Sequence, residues 1–500
     1  MAERSAMLMR AIAEELGARI LPELRTADAV ERANFARLVL ADLAADIDVL
    51  PAVAVELAPA LRGTIGGALA ELPPGSLDAQ IRAWRQALAA VAQETGIAAQ
   101  REIAALRALA AQIARQLADV ARENAADAGI HSALMSLGSI DHRWLTAYDA
   151  AASRSAPPAA AHGSSRTETP APRTEAPGVR VDSLTAYLKR MFPHTPLIAA
   201  REVIPIPGGR SKKTYFVTIT GSDALPHEAV IRQDYALKYE GTKVREEFQP
   251  LVKLAALGLP VPRPWHLEQG ETELGPPFMI VSRLKGSAPG TYFGLQSACP
   301  GAFRDMARML AALHRLPPAE LGFTGSPTPA NSLEALIDQY ERKWRDNATR
   351  ASPLIDFAYA WARREARRHP GQCAVVHGDA GPYNFLVDED RLSAVLDWEF
   401  AHLGDPAEDL GIVRVYAEKV IDWQEFLALY TAAGGPAVPE HRVRLAMLLQ
   451  FLKGTTLVAA SGRNFEEGWT HEFIKGANAF TGLRLIELRI AQLLERFQAL

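Results

Sequence analysis

The stretch from Val375 to Glu399 constrains the fold more than any other part of the chain. Two apolar, β-prone runs, Phe385–Val387 and Ala394–Leu396, flank the polar segment Asp388-Glu389-Asp390-Arg391, which predicts a β-hairpin. Asp379 and Asn384 stand at the mouth of its first strand, and Asp397 closes its second. Asn384 follows Asp379 by five positions and Asp397 follows Asn384 by thirteen. The hairpin therefore offers, on one frame, a carboxylate that can align an acceptor and two oxygen ligands suited to magnesium, the set that phosphoryl transfer from a nucleotide needs. Taken singly, His377-Gly378-Asp379 is a common turn and Asp397 could cap a strand. The coincidence of triad, Asn, hairpin and distal Asp is what points to a site.

This layout is that of the kinase catalytic loop and its metal-binding Asp. The sequence resembles the aminoglycoside phosphotransferase-like kinases (the phosphotransferase enzyme family), in which Gly follows the His and the metal-binding Asp opens a triplet such as Asp397-Trp398-Glu399. That triplet and Gly404-Asp405-Pro406 also resemble the kinase-like domains fused to acyl-CoA dehydrogenases. The resemblance covers Val181 to Leu500 and implies an α+β, bilobal protein-kinase-like fold: a small antiparallel β lobe over 181–285 and a large helical lobe over 286–500. It further implies Mg2+, ATP as co-substrate, Asp379 as the residue that accepts or aligns the hydroxyl proton, and Asn384 and Asp397 as metal ligands. His377 is a scaffold residue in this resemblance, and Asp409 orients the catalytic loop.

The nucleotide side is expected upstream. Ile204–Pro207 and Lys212–Ile219 surround the turn Gly208-Gly209-Arg210-Ser211, which the resemblance makes the nucleotide-covering loop; glycine lets backbone N–H groups approach phosphate. Gly208, Gly209 and Ser211 are the candidates there. Ala229-Val230-Ile231-Arg232 reads as the strand that in kinases carries a phosphate-binding Lys; here the residue is Arg232, whose fork can still bridge phosphate and carboxylate. Glu247 is the expected carboxylate partner, with Glu246 the alternative one position away. Phe278–Gly286 runs into an expected hinge, with Ser282 to Leu284 as adenine-edge candidates. His314 reads as packing, Asp405 as a helix cap, and Glu399 as either a water-mediated magnesium contact or a surface ion pair.

The first 150 residues lie outside the resemblance. They are rich in Ala, Leu, Arg and Glu, and predict an all-α bundle with breaks at Pro22, Leu50-Pro51 and Pro73-Pro74-Gly75-Ser76. A stripe of Ile103, Leu106, Ala110, Ile113, Leu117 and Val120 marks its longest segment, and Ile130–Tyr148 reads as a further short helix carrying Trp144. Such stripes serve an internal core or a homodimer interface. Residues 151–180, with five prolines among Ala, Ser and Thr, read as a disordered tether between independently folding parts.

Composition excludes other classes. A net charge of −4 gives no global field for nucleic acid or an anionic membrane. No signal-peptide core or spanning apolar run is evident, so a cytoplasmic protein is expected. Cys299 and Cys373 are too far apart for a metal cluster and read as packing residues. Gly378 stands where many protein kinases have an Arg that reads a phosphorylated loop, and Glu399 to Asp405 leaves almost no room for such a loop. The expectation is thus a kinase acting on a small hydroxylated molecule. A polycationic aminoglycoside is disfavoured by the near-balanced charges of the last helices, and a hydroxyacyl acceptor is the alternative. The other reading is a nucleotide-binding pseudokinase or scaffold whose helices mediate interactions.

Overall fold

The computed structural model describes residues 9, 11–21, 27–75, 77–93, 99–123, 127–155, 179–206, 212–235, 243–292, 294–322, 332–368, 371–469, 476 and 478–497. Gly208, Gly209 and Ser211, and most of the expected tether, lie outside these residues. The chain forms two compact units. One comprises Met1–Ala171, Leu336–Arg368 and Phe451–Leu500; the other comprises Pro172–Ala335 and His369–Gln450. This grouping departs from a linear boundary near 150, because two later segments cluster with the N-terminal helices.

In the first unit, α1 (Ala27–Glu71) is followed by α2 (Asp78–Ala90), α3 (Ala99–Glu123) and α4 (Ala128–Ser155). The break expected at Pro51 is absent: α1 runs through both Pro51 and Pro59. Each proline forfeits a backbone hydrogen bond, but Val49, Val53, Ala54, Ala58, Leu61 and Ile65 are buried along this stretch and offset that loss by packing. The break at Pro73-Pro74-Gly75 does form, with Gly75 at φ 137°. Of the α3 stripe, Ile103, Leu106, Ala110, Ile113 and Leu117 are buried and Val120 is half-buried; Arg107, Arg115 and Arg122 are paired, with Arg107 Nε 2.6 Å from Asp141 Oδ1 on α4, which is fully buried.

The second unit opens with α5 (Val181–Met191). Strands β1 (Ala199–Ile206), β2 (Lys212–Thr220), β3 (Glu228–Asp234), β4 (Pro264–Glu268) and β5 (Phe278–Ser282) form a five-stranded antiparallel sheet in the order β1-β2-β3-β5-β4. Side chains alternate across the sheet. Tyr215, Val217, Ile219, Ala229, Ile231, Phe278 and Ile280 share a core with Leu184, Tyr187 and Leu188 of α5. The opposite face carries Met279 and Val281, which join a second core with α6 (Val244–Ala256), and in register with them Arg232 and Val230.

After the sheet come the two-residue strands β6 (Gly290–Thr291) and β7 (Gly294–Leu295), then α7 (Pro300–His314). Helices α8 (Ser332–Asn347) and α9 (Pro353–Arg368) follow; α8 from Leu336 onward and the whole of α9 fall in the first unit. The chain returns through β8 (Ala374–Val376), the hairpin β9 (Phe385–Asp388) and β10 (Arg391–Val395), and β11 (His402–Gly404), which pairs with β8. The hairpin turn is shorter than expected. Glu389 and Asp390 alone make it, at φ 46° and 64°, the left-handed conformation that a two-residue hairpin loop demands.

Helices α10 (Ala407–Ala417), α11 (Trp423–Ala432), α12 (Glu440–Glu466) and α13 (Leu483–Arg496) complete the chain. Contrary to expectation, α12 is long and apolar enough to cross a membrane by composition, yet 83% of that stretch is buried inside the protein, as in a core helix. The architecture is mixed helix and antiparallel sheet.

Candidate active site

The loop between β8 and β9 is held from below by one buried carboxylate. Asp409 on α10 accepts the backbone N–H groups of His377 and Gly378 at 2.8 Å each, and the ring of His314 donates to it at 3.0 Å. The Tyr430 hydroxyl fixes the other nitrogen of His314 at 2.7 Å. Read as packing in the sequence, His314 thus has a polar task. Burial pushes Asp409 upward, but the hydrogen bond of His314 and the His377 amide hold it below the usual carboxylate range. His377 is itself structural: its Nε2 donates to the Leu396 carbonyl at 2.8 Å, and its Nδ1 accepts the Asp379 N–H at 3.1 Å.

Gly378 has a backbone reason to be glycine. Its φ is +75°, and a Cβ there would lie 2.6 Å from the Phe400 carbonyl oxygen. The arginine of regulated protein kinases does not fit at this position.

Asp379 projects into a polar nest of uncharged groups. Its Oδ1 accepts the Tyr383 hydroxyl at 3.1 Å and Gln450 Nε2 at 2.9 Å, while its Oδ2 accepts Asn384 Nδ2 at 2.7 Å. Asn384 Nδ2 also reaches the Asp379 carbonyl at 2.9 Å, which orients the amide nitrogen toward Asp379 and its oxygen away. Tyr383 and Gln450 carry no motif signal; Gln450 lies 71 residues downstream of Asp379 and only the fold brings it there. Tyr292 donates to the Gln450 carbonyl at 3.5 Å, and Tyr416 to that of Tyr292 at 2.7 Å.

Across from this nest lie the charges expected to handle nucleotide. Asp397 adopts a left-handed conformation, φ 65° and ψ 58°, at the end of β10, tolerable for Asp and uncommon elsewhere. Arg232 donates from Nη2 to Asp397 Oδ1, and the same nitrogen lies 3.4 Å from Glu247 Oε2. Glu247 is thus the partner chosen by geometry; Glu246 instead caps α6 by accepting the Lys243 N–H at 3.0 Å. Glu247 Oε1 accepts the Trp398 N–H at 3.1 Å, while its buried Oε2 has no hydrogen-bond donor. Burial outweighs the charge of Arg232 and raises Glu247 to about 7. For Asp397 the balance is reversed: burial pushes it up, but the charge and hydrogen bond of Arg232 leave it below its ordinary value.

A second cation, absent from the motif reading, stands beside the first. Lys212 opens β2, is 2% exposed, and places Nζ 3.0 Å from Glu399 Oε2 and 3.8 Å from Asp234 Oδ1. Glu399 therefore makes an ion pair, but a buried one, with its side chain 3% exposed. The signal for Lys212 was present in β2: it falls on the same alternating face as Thr214, whose cross-strand partner is Arg232.

At the expected hinge, the Ser282 N–H is given to the Arg263 carbonyl at 2.9 Å, and its hydroxyl accepts Trp265 Nε1 at 3.0 Å. Leu284, the other candidate there, is half-buried. The following Gly286, at φ +104°, passes so close to Val387 that a Cβ would meet its carbonyl oxygen at 2.6 Å. Burial raises the thiols of Cys299, to about 11, and of Cys373, in keeping with packing roles.

Among the described residues no three His, Cys, Asp or Glu side chains converge to hold a metal by themselves. The donor set nonetheless fits magnesium. Four carboxylates (Asp234, Glu247, Asp397, Glu399) meet two cations (Lys212, Arg232), an excess of negative charge when all are ionised. Magnesium commonly takes one or two protein oxygens and completes its shell with phosphates and water. Asp397 and the Asn384 amide oxygen would hold it.

The model of the phosphotransferase enzyme family matches residues 202–448 of this chain. Acyl-CoA dehydrogenase family member 11 of Rattus norvegicus is 26% identical over 248 residues, covering 47% of this chain and 31% of that protein. Viomycin phosphotransferase of Streptomyces vinaceus is 28% identical over 179 residues, 33% of this chain and 59% of that one. Among solved structures, macrolide 2'-phosphotransferase MphH of Brachybacterium faecium superposes with a TM-score of 0.44 at 20% identity, covering 60% of this chain and 98% of its own. The chain therefore spans less than a third of the length of its acyl-CoA dehydrogenase relative.

Proposed function

We propose that this protein is a magnesium- and ATP-dependent kinase that phosphorylates a hydroxyl group of a small molecule. The observation that carries the reading is the joint geometry of Asp379, Asn384 and Asp397 on one hairpin frame, with Arg232 on Asp397 and Glu247 on Arg232. In the step proposed, the acceptor oxygen bonds to the γ-phosphorus as the bond from that phosphorus to the β–γ bridging oxygen breaks. ADP leaves with the electron pair, and the hydroxyl proton passes to Asp379. Bound magnesium supplies charge neutralisation at the phosphate oxygens. Arg232 keeps Asp397 ionised, and Asn384 keeps the carboxylate of Asp379 in one orientation.

The hydrogen bonds that Tyr383, Gln450 and Asn384 give to the Asp379 carboxylate come from uncharged groups, which supports a neutral acceptor over a polycation. The likeness to acyl-CoA dehydrogenase family member 11 supports a second acceptor class, a hydroxyacyl compound. Turnover of ATP by the purified full chain, with and without a panel of polyols, sugars, amino alcohols and hydroxyacyl thioesters, tests both. The kinase reading expects acceptor-stimulated ADP release that requires magnesium. Nucleotide binding without transfer to any acceptor would instead favour the pseudokinase reading, against which the intact Asp379, Asn384 and Asp397 argue.

A further inference from the structure

Arg232 stands where the nucleotide phosphates should find a cation, but its guanidinium is already committed to two carboxylates. It donates to Asp397 and approaches Glu247, and both ties serve to hold these acids in place. Lys212 is a second, buried cation on this face of the sheet. Its register is fixed: Lys212 pairs with Asp234 and Thr214 with Arg232, so Lys212 and Arg232 project to the same side two residues apart along the pleat. Its ammonium meets Glu399, which lies two positions beyond Asp397 in the chain.

Stability alone gives little reason for this arrangement. A lysine that is 2% exposed has lost most of its hydration, and a buried ion pair is often no more stabilising than an apolar pair of the same volume. Such pairs concentrate where a charge has a task. Lys212 is also the first described residue after the Gly208-Gly209-Arg210-Ser211 turn in sequence.

We propose that Lys212 is the phosphate-contacting cation of this site: a nucleoside di- or triphosphate takes the Lys212 ammonium, which Glu399 holds poised on the cleft-facing side of β2, while Arg232 positions Asp397 and Glu247. The assignment rests on the nucleotide-binding reading above. It divides between two residues the work that one lysine does alone on β3 in kinases that have it.

Calorimetric titration of the full chain with Mg-ADP and with adenosine tests it, because adenosine shares the base and sugar but lacks phosphate. Lys212→Met is expected to weaken Mg-ADP binding by roughly 10- to 100-fold, as loss of a charge-assisted phosphate contact should, and to leave adenosine affinity within about twofold. Lys212→Arg should restore most of the Mg-ADP affinity. Because Lys212→Met leaves Glu399 buried and unpaired, the double variant Lys212→Met/Glu399→Leu provides a second arm. It removes both charges, is expected to melt as the wild type does, and should show the same phosphate-specific loss. Wild-type Mg-ADP affinity in either variant, or an equal loss for adenosine and Mg-ADP, would overturn the role of Lys212 while leaving the nucleotide reading intact. A wild-type protein that bound neither ligand would overturn both.

Discussion

Replacing Asp409 by Asn tests whether the catalytic loop is held by one charge. The substitution keeps the shape and one acceptor oxygen, but turns an NH2 group toward a donor. Either the His377 or the Gly378 amide, each now 2.8 Å from an Asp409 oxygen, loses its acceptor. A buried N–H left unsatisfied costs roughly 1–3 kcal/mol, and hydrogen bonds to a charged acceptor sit at the upper end. The His314 contact at 3.0 Å loses its charge assistance as well. A local loss of about 3 kcal/mol corresponds to roughly 10²-fold in an opening equilibrium.

Hydrogen exchange of peptides covering 374–384 reads this directly. Protection in Asp409→Asn should fall by about 10²-fold there, while β2 and β3 exchange as in the wild type, and turnover should fall with it. The same logic sets a pH window: since Asp409 is held below its ordinary 3.8, its contribution is present above about pH 4 and is lost as pH falls through the lower folded value. Wild-type protection of this loop in Asp409→Asn at neutral pH would refute the reasoning, because the loop would then be held by something else.

Three further outcomes are expected. Asp379→Asn should reduce transfer by about 10²-fold or more while Mg-ADP affinity stays within about twofold, as measured by turnover and calorimetry on the same preparation. Asp397→Asn should weaken magnesium-supported nucleotide binding itself, so that the affinity gained on adding magnesium shrinks or vanishes; an unchanged magnesium effect would remove Asp397 from the metal site. Glu247, raised from 4.5 to about 7 chiefly by burial, holds its proton longer in the folded state than in the unfolded one. Stability should therefore fall as pH rises from about 4.5 to 7, by a few kcal/mol at most at about 1.4 kcal/mol per unit, and Glu247→Gln should flatten that slope in denaturant melts.

Where the sequence was legible, the information was local. The hairpin and the spacing of Asp379, Asn384 and Asp397 follow from short-range patterns of turn residues and alternation, and the preference for Glu247 over Glu246 from the family resemblance, an acid just before an aromatic. The Lys212–Glu399 pair spans 187 positions and the Gln450–Asp379 bond 71, and nothing in either neighbourhood announces the other. The engagement of Ser282 was hidden for the same reason: the carbonyl that takes its amide belongs to Arg263, ahead of β4, and a strand read alone does not reveal which edge is already paired. Pro51 misled because a proline's local cost is fixed while the packing that offsets it is tertiary.

The N-terminal helices illustrate how far such tertiary information reaches. Their apolar stripes suggested a bundle that could stand alone, but the residues off the stripe have partners elsewhere in the first unit. Asp141 accepts the Ser352 hydroxyl at 2.8 Å and the Leu354 N–H at 3.3 Å; Arg115 lies 3.7 Å from Asp356; Arg122 pairs with Glu341. Asp356 and Glu341 are fully buried, and burial raises Asp356 to about 7 even with Arg115 near it. Gly138 of α4 approaches α9 so closely that a Cβ would sit 2.8 Å from the Phe357 ring. A chain beginning at residue 181 would strip Arg115 and Arg122 from these acids and uncover Ile355, Phe357 and Ala358, which are buried in the intact protein. Breaking a buried pair by removing one partner costs roughly 3–5 kcal/mol, a large share of a domain's net stability. The 181–500 segment is therefore expected to be insoluble or to lack a cooperative melt, despite containing the whole family match. A monomeric 181–500 segment that melts cooperatively within a few degrees of the full chain would show these pairs to be dispensable. The N-terminal helices would then be an appendage rather than part of the core they complete.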